Sequence, residues 1–237
     1  MNVLIFIPTY NEADNILILL DKIFKIDDKF RVLLVDDNSP DGTAEIVRNT
    51  YREDRVKVVV RTEKRGRGYV GIYGFRKALE IGFDKLIEMD GDLSHSPEFL
   101  PALLGESEKY DIVIGSRFVK GGKDKERGFL REFISFFARE YISLTLGLKV
   151  KDITSGFRVF NPEVIEKVLP HLTVNDPFIV AEFLYWANRY GFSIKEVPIY
   201  FYNRQKGNSK LNAKILITYL FKVVKLAVKG RKVKISF

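Results

Sequence analysis

Apolar positions in the first half of the chain come in short unbroken runs separated by helical spacings. Residues 3–7 form one such run, stopped by Pro8; 31–35 repeats it after Arg31, and 56–60 repeats it around Lys57. Runs of this length without polar alternation belong to strands buried on both faces. Between them Ile16, Leu19, Leu20 and Ile23 recur on one helical face. Ala44, Ile46 and Val47 mark a second helix, with Asp41 as its capping candidate. A helix over 70–81, a strand over 86–89, a helix opened by Ser96-Pro97 and a strand over 112–114 continue the alternation. This predicts βαβ units in an α/β fold, with a mostly parallel sheet and helices on both faces. The second half is less regular. It predicts helices over 129–146, 178–190 and 211–228, an extended 152–160, and a strand over 194–202 that contains Pro198.

Polar clusters follow the predicted strands: Pro8-Thr9-Tyr10-Asn11-Glu12, then Asp36-Asp37-Asn38-Ser39-Pro40-Asp41, then Asp90-Gly91-Asp92. Ligands of open α/β sheets bind at the carboxyl ends of strands, so these loops define one candidate rim. On an extended segment Asp90 and Asp92 would face the same side. Two like charges that close repel unless a cation lies between them. Oxygen donors without thiol or imidazole favour Mg²⁺ or Mn²⁺, which takes the rest of its shell from substrate phosphates. The alternative is a pair of solvated aspartates in a turn.

Composition narrows the classes. The chain has 237 residues, 46% of them hydrophobic and 30% charged, enough for one large domain with a real core. It has no cysteine, which excludes disulfides and thiolate metal sites, and its two histidines make a histidine-rich zinc site a poor fit. The N-terminus reads as a first strand rather than a signal peptide. No stretch reaches the length of a membrane-spanning helix. A net charge of +8 suggests an anionic partner. Nucleic acid is disfavoured, because the basic residues form no aromatic-interleaved stripe and the strand ends are acidic.

Two weaker signals compete. Gly66-Arg67-Gly68-Tyr69-Val70-Gly71 matches the dinucleotide fingerprint literally. It follows the third strand, however, and reads better as a basic glycine-rich turn approaching a phosphate or sugar, or as a plain surface turn. His171 reads as structural, and His95 as a candidate because Asp92 is near it.

The segments Val3–Glu12, Val35–Thr43 and Asp90–His95 together resemble the inverting glycosyltransferase family 2. Gly115–Gly122, Ser155-Gly156-Phe157-Arg158 and Arg204…Gly207-Asn208-Ser209-Lys210-Leu211 are similar to its dolichol-phosphate mannose synthase branch. The resemblance covers nearly the whole chain. It implies a GT-A fold over residues 1–210, with a nucleotide-sugar half at 1–115 and an acceptor half at 116–210. Residues 211–237 would form a C-terminal amphipathic basic helix and tail. Pro8, Tyr10, Glu12, Val35 and Asp37 would hold the base and ribose of the donor. Asp90, Gly91, Asp92 and Ser94 would hold its diphosphate and, through Asp90, Asp92 and Ser94, a Mg²⁺ or Mn²⁺ ion. Ser94 stands where this branch often has glutamine, a longer ligand.

The implied acceptor is a polyprenyl (dolichyl) phosphate. Its second proton leaves at about pH 6, so no strong base is needed. Arg117, Arg131, Ser135, Arg204 and Lys210 would hold the acceptor phosphate, with Asp92, Arg117 and Arg131 closest to the chemistry. Glu182, in an otherwise apolar helix, reads as a partner for an arginine or a site-shaping residue. The expected reaction moves mannose from GDP-mannose. UDP-glucose or another nucleotide-hexose is the nearer alternative, and a nucleic-acid binder or dinucleotide enzyme the more distant. The apolar helix over 211–228, bordered by Lys229, Arg231, Lys232 and Lys234, suits an anionic membrane surface or packs on its own domain. The expected location is cytoplasmic and peripheral to the membrane, with a membrane-protein partner as an option.

Overall fold

The structure is a computed structural model that describes residues 1–124, 129–202 and 213–233, the side chains of 129–136 and 213–217 excepted. The elements in chain order are β1 (Val3–Thr9), α1 (Ile16–Ile26), β2 (Arg31–Asp36), α2 (Thr43–Thr50), β3 (Val56–Val60), α3 (Arg67–Ile81), β4 (Lys85–Glu88), α4 (Leu100–Ser107), β5 (Ile112–Ser116), β6 (Lys123–Asp124), α5 (Phe129–Leu146), β7 (Arg158–Phe160), α6 (Pro162–Val168), α7 (Ile179–Arg189), β8 (Ile194–Pro198), β9 (Tyr200–Phe201) and α8 (Ala213–Lys232). Seven strands form one sheet in the order β3-β2-β1-β4-β7-β5-β8. All neighbours are parallel except β7, which runs antiparallel to both β4 and β5.

The unbroken apolar runs have the expected consequence. Leu4 and Phe6 of β1 face a core shared with α3, α6 and α7, while Val3, Ile5 and Ile7 face a second core with α1, α2 and α4. Both faces of the central strands are therefore dry. Each buried large aliphatic or aromatic side chain contributes roughly 1.5–3 kcal/mol to folding. Phe75, Phe160 and Phe183 interlock edge-on and tilted, with ring centroids 4.8–5.9 Å apart, and tie β7 to α3 and α7.

Several boundaries differ from the sequence expectations. Of 152–160 only Arg158–Phe160 is a strand, because Ser155 turns inward and donates its hydroxyl to the Gly115 carbonyl at 2.6 Å. The expected strand 194–202 is two short strands in different sheets. Pro198 ends the first, since it has no N–H for the ladder. Helix α3 starts three residues earlier than the apolar spacing suggested. Asp41 lies before the Gly42 cap and takes the Thr43 N–H at 3.0 Å, so it supports the first turn of α2 from one position further out.

Candidate functional site

The loops after β1, β2 and β4 meet along one edge of the sheet. Among the described residues the non-glycine positions with left-handed backbone are Asn11 (φ 60°), Asn38 (φ 57°) and Leu93 (φ 63°), one in each loop. Such a conformation costs on the order of 1 kcal/mol or more and gathers where geometry serves a ligand. The first two loops are laced together. Asp36 accepts from the Thr9 hydroxyl at 2.8 Å and the Ser39 N–H at 2.8 Å, and Ser39 Oγ accepts the Asn11 N–H at 3.0 Å.

The residues expected to hold a base and ribose take up different places. Tyr10 is 44% exposed. Arg65 stacks over its ring, donates to its hydroxyl at 2.8 Å and to the Asn38 carbonyl at 3.0 Å, and so roofs the loops. Pro8 and Glu12 are half-buried, and Glu12 accepts from the Asn15 amide at 2.9 Å. Asp37 is buried. Its carboxylate accepts from Arg61 Nη1 and, at 2.9 Å, from the Gly66 N–H. The side chain of Val35 lies wholly in the core, so any part it takes in binding falls to its main chain.

Strand β4 ends at Glu88, and residues 91–94 bend. The extended geometry assumed for Asp90 and Asp92 is therefore absent, and the turn decides where each carboxylate points. His95 builds this turn. Its ring is buried, stacks on Phe157 with centroids 5.1 Å apart, and accepts the Asp90 N–H on Nδ1 at 3.1 Å. That bond puts the ring proton on Nε2. Burial, the largest influence, holds the imidazole pKa below its ordinary value despite Asp90 and Asp92 nearby, so His95 is neutral. The Asp90 side chain is 31% exposed, and a Cβ at position 156 would stand 3.3 Å from its Oδ1, so Gly156 leaves it room. Gly91 is buried under Thr9. Asp92 is 6% exposed, and its Oδ1 accepts the Ser94 hydroxyl at 2.5 Å and the Ser94 N–H at 3.1 Å. Ser94 thus donates its proton to Asp92, and its hydroxyl oxygen keeps lone pairs for a cation.

Among the described residues no third carboxylate, histidine or cysteine joins this pair to make a protein cage for a metal. Two carboxylates with oxygen donors and room at Gly156 fit a hard cation such as Mg²⁺ or Mn²⁺, which keeps the rest of its shell for phosphate and water. Asp92 also borders a cleft of about 270 Å³ with Lys22, Glu98 and Tyr202.

Arg117, the expected acceptor-phosphate residue, is 8% exposed and already clamped. Its Nε and Nη2 donate to the two oxygens of Asp152 at 2.8 and 2.7 Å, and Nη2 also reaches Thr154 Oγ1 at 2.8 Å. Burial would raise the Asp152 pKa, but the bonds and charge of Arg117 hold it below the ordinary carboxylate value. The side chains of Arg131 and Ser135, and residues Arg204 and Lys210, lie outside the described residues.

The structure adds residues that the sequence reading passed over. Glu88 and Arg158 are each 1% exposed and face each other across β4 and β7, Arg158 Nε donating at 3.1 Å. Arg67 takes the other oxygen of Glu88 at 2.5 Å. The available signal was a charge inside an apolar strand, Leu86-Ile87-Glu88-Met89 and Phe157-Arg158-Val159-Phe160. The glycine-rich stretch opens α3, and its glycines admit backbone. A Cβ at Gly68 would lie 2.1 Å from the Val174 carbonyl oxygen, and one at Gly66 2.5 Å from that of Asn175. Glu182 fixes that same loop and pairs with no arginine among the described residues. Its carboxylate accepts the Thr173 and Val174 N–H groups at 3.0 Å each and the Thr173 hydroxyl at 2.9 Å. His171 stacks on Trp186 and bonds Tyr190, a structural role.

Helix α8 has two faces. Val223, Leu226 and Ala227 are buried against the domain, and Tyr219 meets Phe178 edge-on at 4.8 Å. Phe221, Val224 and Val228 share another face and are exposed, Phe221 at 73%. Helix α5 packs on α8 and exposes Phe137 and Leu144. Among the described residues no helix is long and apolar enough to cross a membrane.

Residues 4–169 match the model of the family described as glycosyl transferase family 2. The chain is 37% identical over 232 residues to a polyprenol monophosphomannose synthase of Mycolicibacterium smegmatis, covering 96% of this chain and 88% of that one. It is 39% identical over 218 residues to an undecaprenyl-phosphate mannosyltransferase of Micrococcus luteus, covering 91% and 90%. A dolichol-phosphate mannosyltransferase of Pyrococcus furiosus is 37% identical over 235 residues, and there the match spans 95% of this chain and 64% of the relative. Among solved structures, glucosyl-3-phosphoglycerate synthase of Mycobacterium tuberculosis in complex with UDP superposes with a TM-score of 0.68 at 18% identity, covering 99% and 82%. The same synthase with Mn²⁺, UDP-glucose and phosphoglyceric acid also superposes at 0.68, with 14% identity and coverage of 99% and 81%.

Proposed function

The chain belongs to glycosyl transferase family 2 and is a glycosyltransferase of GT-A type fold, and we propose that it moves mannose from GDP-mannose to a polyprenyl phosphate with the help of a divalent cation. The observation that carries this reading is near-full-length similarity to polyprenyl-phosphate mannosyltransferases in a chain with two carboxylates, Asp90 and Asp92, in the turn that follows β4. The family fold alone would fit UDP-glucose equally well, and the mannosyl donor rests on the relatives.

In this reaction a phosphate oxygen of the acceptor forms a bond to the anomeric carbon. The bond from that carbon to the donor diphosphate breaks, and its electron pair leaves with the nucleoside diphosphate. The nucleophile is already anionic near neutrality, so orientation matters more than base catalysis. A cation between Asp90, Asp92 and the diphosphate would offset the charge that develops on the leaving group. Around it, His95 holds the Asp90 main chain and Ser94 holds the Asp92 carboxylate. Arg117, Arg131, Ser135, Arg204 and Lys210 are assigned to the acceptor phosphate. Asp152 holds the first of these through Nε and Nη2.

Thermal shift tests the donor. GDP with Mn²⁺ at 100 times its dissociation constant would stabilise the fold by about 2.7 kcal/mol, whereas UDP and NAD should do little. Stabilisation by UDP and not GDP would keep the enzyme class and remove the mannosyl donor.

The exposed apolar face of α8, edged by Lys222, Lys225 and Lys229, is assigned to the membrane surface where the acceptor resides. Phe221→Glu with Val228→Glu should lower binding to anionic vesicles by about tenfold or more, since burying one aromatic side chain is worth roughly 1.5–3 kcal/mol. Co-sedimentation unchanged in that double variant would remove the membrane role of this face.

A further inference from the structure

The charge cluster behind Asp90 holds more cation than its own carboxylate requires. Glu88 closes β4, and Arg158 opens β7 directly opposite it in the antiparallel register. Arg158 gives Glu88 Oε2 two donors, Nε at 3.1 Å and Nη2, and both side chains are 1% exposed. That pair is already neutral. Burying a further guanidinium beside it is unfavourable unless another anion is served. Yet Arg67 adds its Nη2 to Glu88 Oε1 at 2.5 Å, leaving two guanidinium groups against one carboxylate.

Arg67 and Arg158 are not equivalent. Arg158 faces protein alone, and its Nη1 reaches the Val180 carbonyl at 3.5 Å. The side chain of Arg67 is 21% exposed and lies 4.0 Å from Asp90 Oδ1. Its Nη1 is buried and has no hydrogen-bond partner among the described residues. With no ligand present, Asp90 offsets the surplus charge. A cation that takes the Asp90 oxygens leaves that charge to the anion bound with it.

From this we infer that Arg67 is a contact for the diphosphate of the donor, held in position by Glu88. The inference rests on the reading that a nucleoside diphosphate binds at Asp90. Its second, independent support is the way α3 is seated. Gly66 and Gly68 let the 174–175 backbone press against the first turn, which fixes the residue between them. The role is one of binding and charge: as the bond to the sugar breaks, the leaving diphosphate gains negative charge beside a guanidinium that is already in place.

Calorimetry with Mn²⁺ separates GDP from GMP, which shares the base and ribose but has one phosphate fewer. In Arg67→Leu the pair Glu88–Arg158 remains, so no buried carboxylate is stranded. GDP binding is expected to weaken by about tenfold or more and GMP by about twofold or less, because a charge-assisted bond to phosphate is lost. Arg67→Lys keeps the charge and loses the planar fork, and should retain most of the preference for GDP. The ratio of the two affinities is the readout, so a general loosening of the fold does not mimic the effect. Equal loss of GDP and GMP, or an unchanged ratio in both variants, would overturn the assignment to Arg67. Wild-type protein that binds neither nucleotide would instead overturn the donor reading on which it rests.

Discussion

Asp92→Asn is expected to lower sugar transfer by about 10³-fold while leaving the melting temperature within a few degrees of wild type. The amide keeps an oxygen for the Ser94 N–H and hydroxyl, which bond Asp92 Oδ1 at 3.1 and 2.5 Å, so the turn survives. What disappears is a negative charge on a carboxylate that is 6% exposed and therefore acts across a poorly screened distance. A hard divalent cation binds an amide oxygen much more weakly than a carboxylate, and the leaving diphosphate loses its counter-charge. Single-turnover transfer with GDP-mannose and a short polyprenyl phosphate, beside a melting curve, reads both quantities. Activity within tenfold of wild type would show that Asp92 does not hold the cation.

The second large effect concerns stability. Arg158→Met should destabilise the fold by about 3 kcal/mol, the lower end of the range for breaking a buried ion pair. The lower end applies because Arg67 still holds Glu88 Oε1, at 2.5 Å. Burial alone would push the Glu88 pKa up. Arg158 first and Arg67 next outweigh it and hold the group below its ordinary value, which means the carboxylate is charged in the folded state. Without Arg158 the carboxylate keeps Arg67 alone, and Oε2 loses both of its donors in a dry sheet, where Phe160 and Phe183 pack within about 5 Å of the lost guanidinium. Urea denaturation measures the loss. A single variant within 1 kcal/mol of wild type would show that the pair contributes little.

Local pattern carried much of the architecture. The runs at 3–7 and 31–35 have no polar alternation, and in the structure both faces of those strands are buried, whereas 56–60, which holds the exposed Lys57, is the half-buried edge strand. The helix expected over 129–146 spans those residues, because its apolar spacing continues to Gly147, whose left-handed φ of 66° favours glycine. The acidic and polar stretches after β1, β2 and β4 do meet on one rim, as the parallel order demands. For the glycine-rich stretch, spacing says where backbone lacks side chains, not what comes close to it. Here a second backbone segment comes close.

The sequence by itself therefore determined the strand–helix alternation, the doubly covered sheet and the acidic strand ends, since these follow from short-range periodicity and burial. Only the tertiary structure decided which charges meet. Glu88 finds Arg158 seventy residues away because β7 inserts antiparallel between β4 and β5, and Arg117 finds Asp152 across the same insertion. No local period encodes the choice of neighbour for a strand. It is set by long-range packing, and the ion pairs that shape this site are its consequence.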